Sequence, residues 1–502
     1  MKIIIPASGS GQRFIDAGYK ENKPLIKVNE HKRIIDYVLN IFDIENDEFY
    51  FILSNSNIEK FKSFLALSKV KNYKILLEKG PKLGPVGAII DTYSELSKYI
   101  KKDDDVIISY CDFGMDWNYN KFLRYAAKSE YDAIMPTYYG YHPHLGKPEN
   151  VYACALCERD NEIIEVKEKF KTKNKEDHYW SPGVYYFKTF EIMKNSFNLL
   201  IEADDKVNNE FYVSLAYNYL ENKSVSYPYV EHFYQFGIPV DFEYAKTKLN
   251  LLRKINETTE IDDKIDNLIL LGAGRGERFL NLGWNIPKPF LPINNNDIIT
   301  TSLKSFDNNY KKLRLIGAKD HSLYWKNSSL FKDTKLIPPN KKGAAYSYIE
   351  GTRDIKGSVL IAPCDLVANH INEEFKEKYK KHDAIVFVSE PTEYSLKNPN
   401  SFAWVLEEND KVEISIKKPF ENRELKTQKL LIGSFYVNNQ ELLKLAIIYI
   451  FYHQLKTNGE YYLDNAFKYL SEFYNVATVN VNDYFSLGTP EEYNENKYWL
   501  ES

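Results

Sequence analysis

A chain of 502 residues, 44% hydrophobic and 27% charged, is too long for one typical core and reads as a globular protein of more than one domain. Its net charge of −4 gives no general attraction to nucleic acid or anionic membrane, so an anionic ligand must be held by local cations or a metal. With no apolar run long enough to span a bilayer and only four cysteines, the expectation is a cytoplasmic protein without a disulfide framework, acting on small molecules rather than nucleic acid or membrane.

Along the chain, residues 3–5 form a short apolar run that reads as a buried central strand. A glycine loop follows, Ala7-Ser8-Gly9-Ser10-Gly11-Gln12-Arg13-Phe14, and then Lys23-Pro24-Leu25. Strands are predicted at 49–53, 74–77, 105–110 and 133–135, with helical spacing at 34–42, 58–67 and 86–96. This alternation predicts an α/β fold with a mostly parallel sheet flanked by helices. Cys154 and Cys157 have C-x-x-C spacing, but no second pair or histidine cluster completes a zinc site. Residues 251–266 are polar and weakly periodic, and they read as a linker or exposed connecting helix between a domain at 1–250 and another at 267–502.

The second half repeats the first. Residues 268–271 are an apolar strand before Gly272-Ala273-Gly274-Arg275-Gly276-Glu277-Arg278-Phe279, with Lys288-Pro289-Phe290 after it. The interval from arginine to lysine is the same in both copies. Glycines after a strand let backbone N–H groups approach phosphate oxygens, and a nearby arginine and lysine add positive charge. Neither loop is a Walker A, because no Gly-Lys-Ser/Thr follows, and neither has the third glycine of a dinucleotide fingerprint. Ala7, Ser8, Gly9, Ser10 and Gly11, and Gly272, Ala273, Gly274 and Gly276, are therefore expected to bind a nucleotide's phosphates. The small residues Gly87 and Gly343, in turns that precede helices, leave room for a base or ribose.

A strand ends at Cys111-Asp112 and its counterpart, 359–362, at Cys364-Asp365. A carboxylate at the carboxyl end of a central parallel strand lies where open α/β sheets bind ligands. Asp112 and Asp365 are the candidate Mg²⁺ ligands, since magnesium takes one or two carboxylates alongside phosphate oxygens and water.

The set of glycine loop with arginine, Lys-Pro, glycine-alanine turn, strand-Cys-Asp, Glu168-Lys169, Gly183-Val184-Tyr185-Tyr186-Phe187 and Gly488-Thr489-Pro490 resembles the sugar-phosphate nucleotidyltransferase (nucleoside-diphosphate-sugar pyrophosphorylase) family, twice over. Asn458-Gly459-Glu460-Tyr461-Tyr462 also looks like the part of that family bordering the sugar. The resemblance implies two tandem Rossmann-like nucleotidyltransferase domains. It also implies a reaction in which an NTP and a phosphorylated sugar or similar acceptor give the activated compound and pyrophosphate, for surface polysaccharide or capsule precursors. By that resemblance Arg13 and the loop amides hold the departing pyrophosphate and Lys23 neutralises the reacting phosphates. Asp112 holds Mg²⁺, while Glu168, Lys169, Gly183 and Glu460 border the sugar; Arg278, Lys288 and Asp365 repeat the first roles. His142 and His144 are further candidates for an acceptor phosphate.

Two departures from the family stand out. Where many members carry a second metal-binding aspartate, this chain has Gln235 and Ser486, so Asp116 or Asp241 would have to help. The second copy is read with Lys417 where the first has Glu168, which makes the first the more complete sugar site. A pseudo-dimer within one chain is compatible with the repeat. Alternatives are a glycosyltransferase of the related nucleotide-sugar-binding fold, or one domain serving as a non-catalytic nucleotide-binding module.

Overall fold

The computed structural model describes all residues except 147–151, 258, 307, 339–340, 410 and 483. The chain divides into two compact units, Met1–Lys248 and Leu249–Glu501. The helix Pro239–Asn256 runs past the predicted start of the linker, and Ile261 and Ile265, inside the predicted linker, are buried. Thr258, also within it, lies outside the described residues.

The first unit is built on seven strands: β1 (Lys2–Pro6), β2 (Glu48–Leu53), β3 (Tyr73–Leu77), β4 (Val106–Ser109), β5 (Ala133–Pro136), β6 (Val184–Phe187) and β7 (Ser224–Tyr227). Their order across the sheet is β3-β2-β1-β4-β6-β5-β7. Only β6 runs antiparallel to its neighbours. The second unit uses β8 (Ile265–Gly272), β9 (Tyr310–Ala318), β10 (Thr334–Ile337), β11 (Val359–Pro363), β12 (Ala384–Ser389), β13 (Lys429–Val437) and β14 (Val476–Asn482). The order β10-β9-β8-β11-β13-β12-β14 repeats that of the first unit, with β13 the antiparallel member.

The central strands read as apolar runs because both of their faces are covered. Ile3 and Ile5 join one core cluster and Ile4 the other, as the two-residue period of a strand requires. In β8, Ile269 faces one cluster while Leu268 and Leu270 face the opposite one. Ile4 is fully buried between Tyr50 and Ile108 of the adjacent strands. Ile4→Ala is therefore expected to destabilise the first unit by about 2–5 kcal/mol, measurable as a lowered denaturant midpoint.

This topology brings the loops after β1 and β4, and after β8 and β11, to the carboxyl ends of adjacent parallel strands. Charged residues distant in sequence thereby meet at one edge of each sheet.

Candidate functional site

In the first unit the loop after β1 ends at Gly11, whose φ of +67° places it in the left-handed region as the N-cap of the short helix Gln12–Asp16. A Cβ at Gly11 would sit 3.3 Å from Lys23 Cβ; Gly276 has the same φ and the same 3.3 Å approach to Lys288 Cβ. The glycine loop and the lysine thus fit together identically in both units. Gly9 and Gly274 have open space where a Cβ would point, so the main chain there can be approached closely.

Lys23 Nζ lies 2.6 Å from Asp112 Oδ2 and donates to the Gly237 carbonyl at 2.7 Å. Lys288 Nζ lies 2.6 Å from Asp365 Oδ2. Burial opposes the Lys288 charge, but Asp365 and Cys364 outweigh it and hold the ammonium above its ordinary pKa. Burial pushes both neighbouring thiols, Cys111 and Cys364, up to about 12, which leaves them protonated at neutral pH.

Each lysine–aspartate pair lines a cavity. The first, about 270 Å³, is bounded by Ala7, Ser8, Gly9, Gly11, Lys23, Gly84, Asp112, Glu210 and Tyr212. Ser10, Gly87 and Arg13 do not line it, although the Arg13 charge reaches the Tyr212 phenol. The second, about 720 Å³, is bounded by Gly272, Ala273, Gly274, Lys288, Gly343, Asp365, Lys417, Gly433, Glu460 and Asp464. Arg275 lines it, whereas Arg278 and Gly276 do not.

Several predicted acceptor contacts are placed elsewhere. His142 and His144 are buried among Tyr138, Tyr152 and Phe233. His144 Nε2 lies 2.9 Å from Tyr138 Oη, and burial lowers His142 to about 3. An apolar surround suits neutral aromatic rings, and neither histidine lines the cavity. Glu168, Lys169 and Gly183 are also outside it. Burial raises the Glu168 carboxyl to about 7, against the opposing effects of a hydrogen bond from Ser214 and the Lys169 charge. A carboxyl raised on folding stabilises the native state when protonated and costs stability as pH rises through its native pKa. Glu168→Gln should accordingly narrow the stability difference between pH 5 and pH 8 by on the order of 1–3 kcal/mol, read from denaturation curves at both values.

The matching of Lys417 to Glu168 is corrected by strand register. Cys154 pairs with Lys167 and Trp180, while Trp404 pairs with Ser415 and Leu430. The following lysines, Lys169 and Lys417, both have positive φ. Lys417 is therefore the counterpart of Lys169, and Ile416 stands at the place of Glu168. The same offset that matches Gly459 to Asn209 and Glu460 to Glu210 matches Asp464 to Ser214, so the second unit takes its carboxylate from a different element.

Gly343 also carries a different constraint from the one expected. A Cβ there would lie 2.6 Å from the Tyr461 carbonyl oxygen, and one at Gly84 would lie 3.0 Å from the Phe211 main chain. These glycines admit a neighbouring loop as well as bordering a ligand space.

For a divalent cation, the donor set is one hard carboxylate at each sheet edge, and no group of three or more His, Cys, Asp or Glu suited to a metal occurs among the described residues. Asp116 is tied to Tyr234 and His232, and neither it nor Asp241 lines the first cavity. In the second unit Asp365 Oδ2 and Glu492 Oε2 lie 3.2 and 3.4 Å from the point a Gly488 Cβ would occupy. One or two carboxylates completed by phosphate oxygens and water fit magnesium. Cys154 and Cys157 are free thiols on one strand. Sequence reasoning missed Tyr110, which borders the first cavity, and the Glu78–Lys82 ion pair beside it.

Residues 2–234 match the nucleotidyl transferase family model. The chain is 25% identical over 244 residues to the bifunctional protein GlmU of Methanocaldococcus jannaschii, covering 46% of this chain and 54% of that protein. It is 23% identical over 231 residues to GlmU of Methanococcus aeolicus, covering 44% and 51%. The chain thus spans about half the length of these curated relatives. Among solved structures, it is similar to a nucleoside-diphosphate-sugar pyrophosphorylase from Vibrio cholerae RC9 (17% identity, 49% of this chain and 100% of the other, TM-score 0.41). It is also similar to HddC from Yersinia pseudotuberculosis (18%, 49% and 99%, TM-score 0.36). No helix among the described residues is long and apolar enough to cross a membrane. The match to the nucleotidyl transferase family is carried by residues 2–234, a little under half of this chain.

Proposed function

We propose that the chain transfers a nucleotidyl group from an NTP to a phosphorylated sugar or similar acceptor, releasing pyrophosphate. The observation that carries this reading is the constellation of glycine loop, lysine and aspartate, present twice with the same geometry and each time bordering a cavity. An acceptor phosphate oxygen attacks the α-phosphorus, a new P–O bond forms, and the bond to the bridging oxygen breaks with its electron pair leaving on pyrophosphate. Loop amides and the lysine stabilise the charge that accumulates, and no covalent enzyme intermediate is needed.

Asp112 and Asp365 are the residues that would hold Mg²⁺, which when bound supplies charge neutralisation at the phosphates. The activated product suits surface polysaccharide or capsule synthesis in the cytoplasm. The test is pyrophosphate release by the full chain, with each common NTP in turn and a panel of sugar phosphates, with Mg²⁺ and with chelator. Release that requires one NTP and one acceptor class and disappears with chelator supports the reading. Turnover of a nucleotide-sugar with no pyrophosphate released would favour glycosyl transfer and overturn it.

A further inference from the structure

The two cavities differ at the end away from the glycine loops. In the first unit Tyr110, just before Cys111-Asp112, crosses that end. Its ring atoms come within 3.1 Å of the point a Gly183 Cβ would occupy, and its hydroxyl accepts from Val213 N–H at 3.2 Å. The ring also meets Tyr185 edge-on, with centroids 5.5 Å apart. Glu168 and Gly183 are left outside the roughly 270 Å³ space, and Glu168 accepts the Ser214 hydroxyl hydrogen bond instead.

The second unit has Pro363 at the place of Tyr110, and nothing lies within 4 Å of a Cβ built at Gly433. Its cavity of about 720 Å³ therefore continues from the glycine loop to Lys417, Gly433 and Asp464. The second space is thus the larger of the two and lies well within the usual range for a small-molecule site. The chemistry at the open end is also new. Ile416 packs on the core at the place of Glu168, and Asp464 supplies a carboxylate where the first unit has Ser214. Lys417, whose ammonium donates to the Ser401 carbonyl at 2.5 Å, offers a cation for a phosphate, and Asp464, lining the same cavity, offers a carboxylate able to accept hydrogen bonds from a ligand's hydroxyls.

We propose that the sugar phosphate is taken by the second unit alone, with Lys417 and Asp464 as its specificity-determining contacts, while the first unit takes nucleotide only because Tyr110 fills its acceptor end. This rests on the nucleotidyl-transfer reading, which the pyrophosphate assay on the wild-type chain decides separately.

The test is calorimetric titration of a panel of aldose 1-phosphates into the full chain saturated with a non-hydrolysable NTP analogue. One acceptor molecule per chain is expected. Lys417→Met and Asp464→Asn should each weaken it at least tenfold while leaving the number of analogue molecules bound per chain unchanged and their affinities within twofold, which also shows that the second unit of each variant folds. Tyr110→Ala should add a second acceptor molecule per chain. Two molecules on the wild-type chain, none from any member of the panel, or unchanged affinity in both second-unit variants would overturn the proposal. A Tyr110→Ala chain that binds nucleotide normally and still takes only one acceptor would remove Tyr110 as the reason.

Discussion

Lys288→Met is expected to reduce pyrophosphate release by about 10²–10³-fold, the range seen when one preorganised stabiliser of transition-state charge is removed. The lysine is held by Asp365 at 2.6 Å on one side and by the glycine-loop contact at Gly276 on the other. Its side chain is only 18% exposed, so its charge acts where water screens it little. The substitution also leaves Asp365 without its partner, and part of any loss could arise from that carboxylate. Lys288→Gln separates the causes, because its amide can still donate a hydrogen bond to Asp365 but carries no charge: if the lysine acts on the reacting phosphates, this variant is as slow as Lys288→Met. Recovery to within tenfold of wild type would make the lysine a partner for the aspartate and nothing more. Lys23→Met in the first unit, measured in the same assay, should affect nucleotide binding there far more than turnover if the acceptor is confined to the second unit.

Gly343→Ala should destabilise the second unit by about 3 kcal/mol or more and abolish nucleotide binding there, because two separate costs coincide. The residue has φ +98° and ψ 178°, a region essentially confined to glycine, where a side chain costs on the order of 1–3 kcal/mol. The added Cβ would also fall 2.6 Å from the Tyr461 carbonyl oxygen and 2.8 Å from its amide nitrogen, main-chain atoms that cannot swing aside. Tyr461 N–H donates to the Lys342 carbonyl and Ala345 N–H to the Tyr461 carbonyl, so pushing the loops apart breaks two hydrogen bonds. Gly433→Ala is the control. It has φ +83° with open space around it, so only the backbone strain remains, about 1–2 kcal/mol. Denaturation and nucleotide titration of both variants check the comparison. Equal losses would mean that the approach of Tyr461 contributes nothing.

The α/β alternation, the doubled glycine loop and its lysine and aspartate were legible in the residues because each is a local pattern. An apolar run of three or four residues marks a strand buried on both faces, and a carboxylate directly after such a run must emerge at the strand's carboxyl end. Those rules place Asp112 and Asp365, and the repeated spacing of glycine loop and lysine marks Gly11 with Lys23 and Gly276 with Lys288, without any long-range information. They also anticipate the strands at Val106–Ser109 and Val359–Pro363 to within a residue or so.

What only the tertiary structure decided was pairing and filling. A one-residue change of register exchanges the two faces of a strand, and this is why Lys417 matches Lys169 and leaves Ile416 opposite Glu168. His142 and His144 look like ligands in a loop sequence but lie among aromatic rings that come from distant segments. Whether a cavity is open depends on one side chain meeting residues about seventy and a hundred positions away, as Tyr110 meets Gly183 and Val213. The sequence by itself determined which groups carry charge and where the chain turns. The volume left between those groups is set by packing across the sheet, which no local pattern records.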